Sequence, residues 1–291
     1  MSPQVEPPVR THADFISNSS RWAHVKLRSG DIIVTTPPKS GTTWLQGILA
    51  LLLSGDPNVT ADISMKAPWI DMEFRDIKDV TARIDAQDHR RHLKSHAPLD
   101  CLPSCNEVSY ITVYRHPLDV YFSYMRHYDN IQVDLKDPLA QGPLQERFER
   151  FLEADAGHVC LRSIVSHFKS TVQLEPRANV LRLHYKDMLR DLPHAFGQIT
   201  KLIDVDHDAG VMNTLIEAAR FDKMRANSDR FAPSAGQGFW KNDKNFFDSA
   251  TSNKWDGKLT DAELAAYDFH MSQLLHPVER RWLEWGSDPV A

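Results

Sequence analysis

Short apolar runs alternate along this chain with longer segments that have the periodicity of amphipathic helices. The strand-like runs cover residues 31–35, 109–114 and 179–184. Helical patterns cover residues 43–54, 117–128, 144–169 and 192–203. Strands that alternate with long helices predict an α/β fold with a central parallel sheet and helices on both faces. The connections are long, as the crossovers between parallel strands require.

Length and composition favour a single globular domain. The chain has 291 residues, of which 42% are hydrophobic and 25% charged, as in ordinary soluble domains. No linker interrupts the pattern, so we expect a flexible N-terminal tail over residues 1–12 and one domain over residues 13–291. Residues 228–245 are rich in Gly, Asn, Asp and Ser and predict a long loop, which is either a lid or a disordered insertion.

The overall charge argues against a nucleic-acid partner. Net charge is −5, so any polyanion must be bound by a local cluster of cations. The three cysteines are odd in number and form no Cys-x-x-Cys, which favours reduced thiols. Residues 1–10 lack the apolar core of a signal peptide, and the longest apolar run, residues 48–53, is too short to span a membrane. We therefore expect a cytoplasmic protein without a transmembrane segment.

The strongest candidate site is the loop that follows the first strand. Residues 38–43 read Pro-Lys-Ser-Gly-Thr-Thr and lead into a helix. A strand, a tight loop and a helix start direct backbone N–H groups and a helix dipole at one point, which suits a phosphate. A Walker loop places its Lys directly after the second Gly, whereas Lys39 precedes Gly41. A P-loop-like nucleotide kinase is therefore the weaker alternative.

Residues 38–44, Pro-Lys-Ser-Gly-Thr-Thr-Trp, closely resemble the 5′-phosphosulfate loop of the cytosolic-type sulfotransferases. These enzymes use PAPS (3′-phosphoadenosine-5′-phosphosulfate) and release PAP. The resemblance implies a single α/β domain that moves a sulfuryl group in line to the hydroxyl of a small-molecule or lipid acceptor, without a metal. It also implies that Lys39 stabilises the leaving phosphate and that the cofactor is bound by Lys39, Ser40, Gly41, Thr42, Thr43 and Trp44.

A second motif begins where the second strand-like run ends. Arg115 follows that run, and Pro117 suits the first turn of the next helix. Arg115, Asp119 and Ser123 match the family's 3′-phosphate motif, Arg-x-x-x-Asp-x-x-x-Ser. The resemblance implies that Arg115 and Ser123 bind the 3′-phosphate. Asp119 is interpreted as orienting Arg115 or the helix.

Residues 94–99, Lys-Ser-His-Ala-Pro-Leu, are similar to the family's segment around its catalytic base. By resemblance His96 is that base, a role that suits a side chain with an ordinary pKa of about 6.5. Lys94 would point the same way in an extended segment and hold the sulfonate or the acceptor oxygen. A metal cluster of His89, His92 and His96 is the alternative, but no carboxylate or Cys motif accompanies it. We expect His89 and His92 to be solvated.

Weaker matches complete the resemblance, which covers residues 20–270. Tyr185 and Phe221 lie in segments similar to those that contact adenine, where Trp44 would be a further stacking partner. Trp69 falls where the family lines its acceptor pocket, although a core position is equally open.

Two family features are not matched. Where the family closes its cofactor site with an Arg and a Gly, this chain has Asp248 and Ala250, so Lys241, Lys244 or Lys254 would have to supply the cation. A non-catalytic nucleotide-binding protein is the alternative if Asp248 prevents cofactor binding. The family's dimer motif is also absent around Thr260, which leaves the oligomeric state open.

Overall fold

Four parallel strands form the centre of the molecule. The computed structural model describes residues 3–59, 66–133, 135–173, 177–226, 238–246 and 252–287. The strands run in the order β2-β1-β3-β4, and all three pairings are parallel. They are β1 (Ile32–Thr35), β2 (His92–Ser95), β3 (Ser109–Tyr114) and β4 (Val180–His184). Because they are parallel, their carboxyl ends meet at one edge, where open α/β sheets bind ligands.

Helices surround this sheet. In the described part of the chain they are α1 (Thr42–Ser54), α2 (Ile77–Asp85), α3 (Pro117–Asp129), α4 (Leu144–Glu153), α5 (Leu161–Val172), α6 (Tyr185–Arg190), α7 (Leu192–Ile203), α8 (Ala209–Ala218), α9 (Phe221–Ala226), α10 (Asp261–Leu274) and α11 (Pro277–Trp285). Short 3-10 turns lie at Ser19–His24, Leu99–Cys101 and Asp243–Phe246. The single α/β domain with a central parallel sheet, predicted from the sequence, is confirmed.

Both faces of the sheet are covered, which explains why β1 is apolar throughout. Ile32 and Val34 pack in a cluster with α1 and α7, whereas Ile33 packs on the opposite face with Leu93. A further cluster joins α3, α4, α5, α10 and α11. Helix α1 is itself buried from Trp44 to Leu52, as its apolar run predicts. The sheet and α1 therefore form a rigid base for the loop between them.

The structure corrects one helix. The pattern over residues 144–169 predicts a continuous helix, but α4 ends at Glu153 and α5 begins at Leu161. Gly157 lies in the break, where an added Cβ would stand 2.3 Å from the Leu139 side chain. A side chain at position 157 would therefore require the Leu139 side chain to move. The break also places His158 at the carboxyl edge of the sheet, facing the cavity described below.

Strand β2 was expected only as an extended segment, and, apart from the helix that breaks, the boundaries of the other predicted strands and helices agree to within one residue. The stretch expected to be a tail contacts the domain from Glu6 onward. The Glu6 N–H donates to the Ser104 carbonyl at 2.8 Å, and the Arg10 Nε lies 2.6 Å from an Asp100 carboxylate oxygen.

The three cysteines, Cys101, Cys105 and Cys160, are buried free thiols. Within the described ranges, none of the helices combines the length and apolar character needed to cross a membrane.

Candidate active site

The loop between β1 and α1 has a backbone that few sequences can adopt. Lys39 has a φ of +64° and Gly41 a φ of +115°, both in the left-handed region. A Cβ on Gly41 would lie 3.0 Å from the Tyr185 ring, so the position suits only glycine. Ser40 is fully buried, and its Oγ has no hydrogen-bond partner among the described residues. The loop thus presents polar groups at the N-terminus of α1, where an anion would be stabilised.

Lys39 lies in a strongly positive environment. Its Nζ is 2.8 Å from the Nδ1 of His127 and 5.2 Å from the centre of the Phe246 ring. Burial lowers the pKa of Lys39 to about 7, and repulsion from four other cations adds to the shift: Arg115, Lys94, Lys254 and Arg126. This charge accumulates locally although the whole chain carries a net charge of −5.

Arg115 leaves the carboxyl end of β3 and lies on an aromatic ring. Its guanidinium carbon is 4.4 Å from the centre of the Tyr185 ring, and its Nε is 3.8 Å from a carboxylate oxygen of Asp119. Asp119 also accepts hydrogen bonds from the backbone N–H groups of Asn253 at 3.1 Å and Lys254 at 2.8 Å. Asp119 therefore holds the C-terminal segment next to Arg115, in addition to the orienting contact expected for it.

Trp44, Tyr185 and Phe221 form an aromatic corner beside the loop between β1 and α1. The Trp44 ring is 5.4 Å from Tyr185 and 6.4 Å from Phe221, each edge to face. The Trp44 Nε1–H donates to the Ala219 carbonyl at 2.8 Å, which fixes the indole. Such a corner suits a flat ring such as adenine.

His96 follows β2 and is held at two points. Its Nδ1 lies 2.7 Å from the Thr36 carbonyl, and its backbone N–H donates to Asp71 at 3.1 Å. A carbonyl only accepts, so Nδ1 carries the proton and Nε2 is the acceptor of a neutral ring. Burial lowers the pKa of His96 well below its ordinary value, and Lys94 and His158 lower it further. The ring is therefore neutral at neutral pH with Nε2 open as an acceptor, although its pKa is not the ordinary value on which the sequence interpretation relied.

Lys94 and Trp69 lie next to this histidine. The Lys94 Nζ is 4.3 Å from the centre of the Trp69 ring, and that ring is 4.7 Å from His96. Burial lowers the pKa of Lys94 to about 8; Asp71 counteracts the shift and Arg75 adds to it. Trp69, for which the sequence left two interpretations open, lies at the cavity rather than wholly in the core.

These groups line one cavity of about 440 Å³. The cofactor end is the name used below for the part lined by the loop of residues 38–43, Arg115, Ser123 and the aromatic corner, which the sequence predicts to bind the cofactor. The acceptor end is the name used below for the part with apolar lining, which includes Ile16, Trp69, Met72, Phe74, Ile131 and Leu135. Phe239 and Trp240 also line the cavity, and the Trp240 ring lies 4.7 Å from that of His127. His96 and Lys94 lie on the same cavity wall. A hydroxyl at His96 would thus stand between an anion site and an apolar chamber.

The structure brings together the residues that the sequence singled out. The cavity is lined by Lys39, Gly41, Thr42, Thr43, Trp44, Lys94, His96, Arg115, Ser123, Tyr185 and Phe221, and Ser40 lies buried within the same loop. The expectation that His92 is solvated is wrong, because this side chain is 2% exposed and burial lowers its pKa to about 4. His89 is exposed. Across the described ranges, no group of His, Cys, Asp or Glu side chains is arranged to hold a metal.

The candidate cations near the C-terminus differ in whether they reach the cavity. Lys254 lines the cavity, whereas the Lys241 Nζ donates to the Asp129 carbonyl at 2.7 Å. Asp248, Ala250 and the side chain of Lys244 lie outside what the structure describes. Of the candidate lid, residues 228–237 also lie outside the described ranges, and the remainder brings Trp240 to the cavity.

Sequence reasoning missed several residues of the site. His127 lies four residues after Ser123 and so on the same helix face, a signal that could have been read. Asp14 and His158 are 144 positions apart and meet only in the fold. No local pattern pointed to them.

Comparison with known proteins agrees with this geometry. Residues 29–279 match the sulfotransferase domain family. The chain is 30% identical to a glycolipid sulfotransferase of Mycobacterium tuberculosis over 94% of each chain. It is 26% identical to sulfotransferase 1 family member D1 of Rattus norvegicus, over 94% of this chain and 93% of that one.

Two solved structures share the fold. Retinol dehydratase in complex with retinol and PAP gives a TM-score of 0.73 at 19% identity, covering 90% of this chain and 87% of the other. A mouse sulfotransferase in complex with PAP gives 0.72 at 18% identity, covering 97% and 100%. The chain belongs to the sulfotransferase family and is a PAPS-dependent enzyme. This confirms the resemblance and removes the kinase alternative.

Proposed function

We propose that this sulfotransferase acts on the hydroxyl of an acceptor with a long apolar body, and that His96 is its general base. The proposal assigns the 5′-phosphate end of PAPS to Lys39 and the backbone of residues 40–44. Arg115 and Ser123 take the 3′-phosphate, and the aromatic corner takes adenine.

The cations around Lys39 carry the cofactor assignment. Burying several positive charges together is unfavourable unless an anion offsets them. A ligand with two phosphate groups on one ribose matches this arrangement, because Lys39 follows β1 and Arg115 follows β3 at the same edge of the sheet. The buried Ser40 hydroxyl and the close backbone approach at Gly41 also fit a phosphate in the loop. The residues present therefore suit PAPS.

Three side chains have separate roles in the proposed sulfuryl transfer. Bound PAPS supplies an activated sulfuryl group. The His96 Nε2 accepts the proton of the acceptor hydroxyl, since Nδ1 is committed to the Thr36 carbonyl. The Lys39 Nζ places positive charge beside the phosphate, and Lys94 orients the acceptor oxygen. Because these side chains are already in position, they can stabilise the transition state without reorganisation.

The acceptor class follows from the other end of the cavity. Its lining is mainly aliphatic and aromatic, and Phe74 stands 62% exposed at the rim. One similar protein is named a glycolipid sulfotransferase, and another was solved in a complex with retinol. Glycolipids and retinol are both amphipathic. Both support an acceptor with an apolar body and a hydroxyl head. A cytoplasmic location stays a prediction, supported by the free thiols.

Transfer from labelled PAPS to n-octanol and to ethanol tests the acceptor class. Each buried CH₂ contributes about 0.8 kcal/mol, so six additional methylenes should raise kcat/KM by at least roughly a hundredfold. The His96→Ala variant controls for transfer that does not use the site. Equal kcat/KM for the two alcohols would contradict an apolar acceptor.

A further inference from the structure

A second histidine faces the acceptor end of the cavity. The Nδ1 of His158 lies 3.0 Å from a carboxylate oxygen of Asp14, and the two side chains are only 6% and 3% exposed. The His158 ring centre is 6.0 Å from those of His96 and Trp69. The general-base role of His96 uses neither Asp14 nor His158.

Asp14 is held in place by its own turn. Its other carboxylate oxygen accepts the backbone N–H groups of Ile16 and Ser17, both at 2.8 Å. Burial would raise the pKa of Asp14, but the contacts with His12 and His158 and the bond from Ile16 hold it far below its ordinary value. The carboxylate is therefore ionised and can only accept hydrogen bonds.

This fixes the orientation of His158. Because Asp14 only accepts, the His158 Nδ1 carries a proton, and Nε2 is left for a partner in the cavity. A hydroxyl can pair with Nε2 in either protonation state, since a hydroxyl both donates and accepts. The side chain that Asp14 orients is thus suited to an oxygen of the acceptor.

The distance to His96 indicates which oxygen. Hydrogen bonds extend about 2.7–3.2 Å from a ring nitrogen, so two imidazoles 6.0 Å apart can reach neighbouring oxygens of one molecule. The proposed reaction already assigns one acceptor hydroxyl to His96 and Lys94, so His158 is available for a second oxygen. A headgroup with adjacent hydroxyls would use both rings.

Building on the proposed function, we propose that His158, positioned by Asp14, determines specificity by binding a second hydroxyl of the acceptor. The enzyme would then prefer a polyhydroxylated headgroup, such as a sugar, on an apolar chain. His158 takes no part in the proton transfer itself.

The test compares n-octyl β-D-glucoside with n-octanol, which share one alkyl chain. Loss of the contact should lower the ratio of their kcat/KM values at least fivefold in His158→Phe. The double variant D14N/H158F leaves no buried charge without a partner and should show the same fall. Asp14→Asn should give a smaller fall, because an amide can reverse the polarity of its bond to His158 while the ring remains.

His12→Gln is the matched control. His12 contacts the same carboxylate at 3.6 Å but does not line the large cavity. It should leave the ratio unchanged within twofold. If His12→Gln and His158→Phe lower the ratio equally, Asp14 and His158 only anchor the N-terminal segment, and the proposal is overturned.

Calorimetry of octyl glucoside binding to the PAP-loaded protein supplies a readout without turnover, and affinity should fall in His158→Phe by the same factor. An unchanged affinity and ratio would overturn the inference, as would an equal loss of rate for both acceptors. Failure of the proposed function looks different, because neither alcohol nor glucoside would then be sulfated while calorimetry would still report on His158.

Discussion

The two ends of the cavity are built in different ways. At the cofactor end, Arg115 and Tyr185 come directly after β3 and β4, and Lys39 lies in the loop four residues after β1, so the sheet sets their positions. At the acceptor end, the lining comes from separate segments, such as those of Ile16, Phe74 and Leu135. One end is polar and cationic, and the other is mainly apolar.

The two ends therefore depend on different parts of the fold, the sheet at one end and the loops at the other. In the proposed function, the phosphates of the cofactor are bound by backbone geometry and charges that tolerate little change. The acceptor chamber depends on side chains from loops, which can vary without disturbing the sheet. Substitutions at the two ends should therefore have separable effects on PAP binding and on acceptor use.

The largest effect is expected where the two ends meet. His96→Ala should lower kcat by about 10²–10⁴, because a general base contributes this much. The affinity for PAP should change less than twofold, since His96 faces the acceptor. Initial rates and PAP calorimetry measure the two quantities, with exposed His89→Ala as control. Retention of more than a tenth of the wild-type rate would remove His96 as the base.

Arg115→Ala tests the cofactor end alone. Hydrogen bonds to charged groups contribute about 1.5–3 kcal/mol, so PAP affinity should fall roughly ten- to a hundredfold. Adenosine 5′-phosphosulfate, which lacks the 3′-phosphate, should lose much less. Lys201→Ala, which removes an exposed cation on α7, controls for net charge. Equal losses for the two ligands would place Arg115 away from the 3′-phosphate.

Gly41→Ala separates backbone strain from close approach. Left-handed backbone costs a residue with a side chain about 1–2 kcal/mol, so thermal unfolding should shift downward. PAP affinity should also fall about tenfold, because the Cβ would meet Tyr185 at 3.0 Å. Gly257→Ala has a φ of +68° with open space around it, so it should lose stability only. Unchanged PAP affinity in Gly41→Ala would show that this approach does not shape the site.

The smallest effect is expected at the rim of the acceptor end. Phe74→Ser should raise the KM for n-octanol about two- to fivefold, because a largely exposed ring buries only part of its area against the acceptor. Its PAP affinity should match the wild type. Phe269→Ser on α10 is a matched control, since the two rings are 62% and 63% exposed. An identical KM in both variants would place the acceptor elsewhere.

The same contrast explains what the sequence could predict. Lys39, Arg115 and His96 were found because each belongs to a short motif whose local geometry is set by one strand and one turn. The α/β class and the parallel sheet followed from the alternation of apolar runs with helical patterns, whereas the strand order came only from the structure. Each of the three motifs lies within roughly ten consecutive residues.

The remaining features depend on contacts between distant segments. The pairing of Asp14 with His158 joins positions 144 residues apart, and Gly157 in the break before α5 lies close to the side chain of Leu139. His92 looked like a surface histidine because the covering segments are not its neighbours in sequence. Packing of this kind cannot be read from local patterns.

The central claim is that the loop with its surrounding cations is a PAPS site that needs no metal. Calorimetry of PAP in EDTA, in two buffers of different ionisation enthalpy at pH 7.5, tests it directly. The pKa of Lys39 is about 7 without ligand, and a bound phosphate raises it. Binding should therefore take up protons at this pH, and the affinity should fall as the pH rises further.

Lys39→Arg should bind with less proton uptake, because an arginine is always charged. The account predicts tight PAP binding in EDTA, weak binding of ATP with or without Mg²⁺, and proton uptake that depends on Lys39. PAP binding that requires Mg²⁺, or proton uptake that is the same in Lys39→Arg, would contradict it.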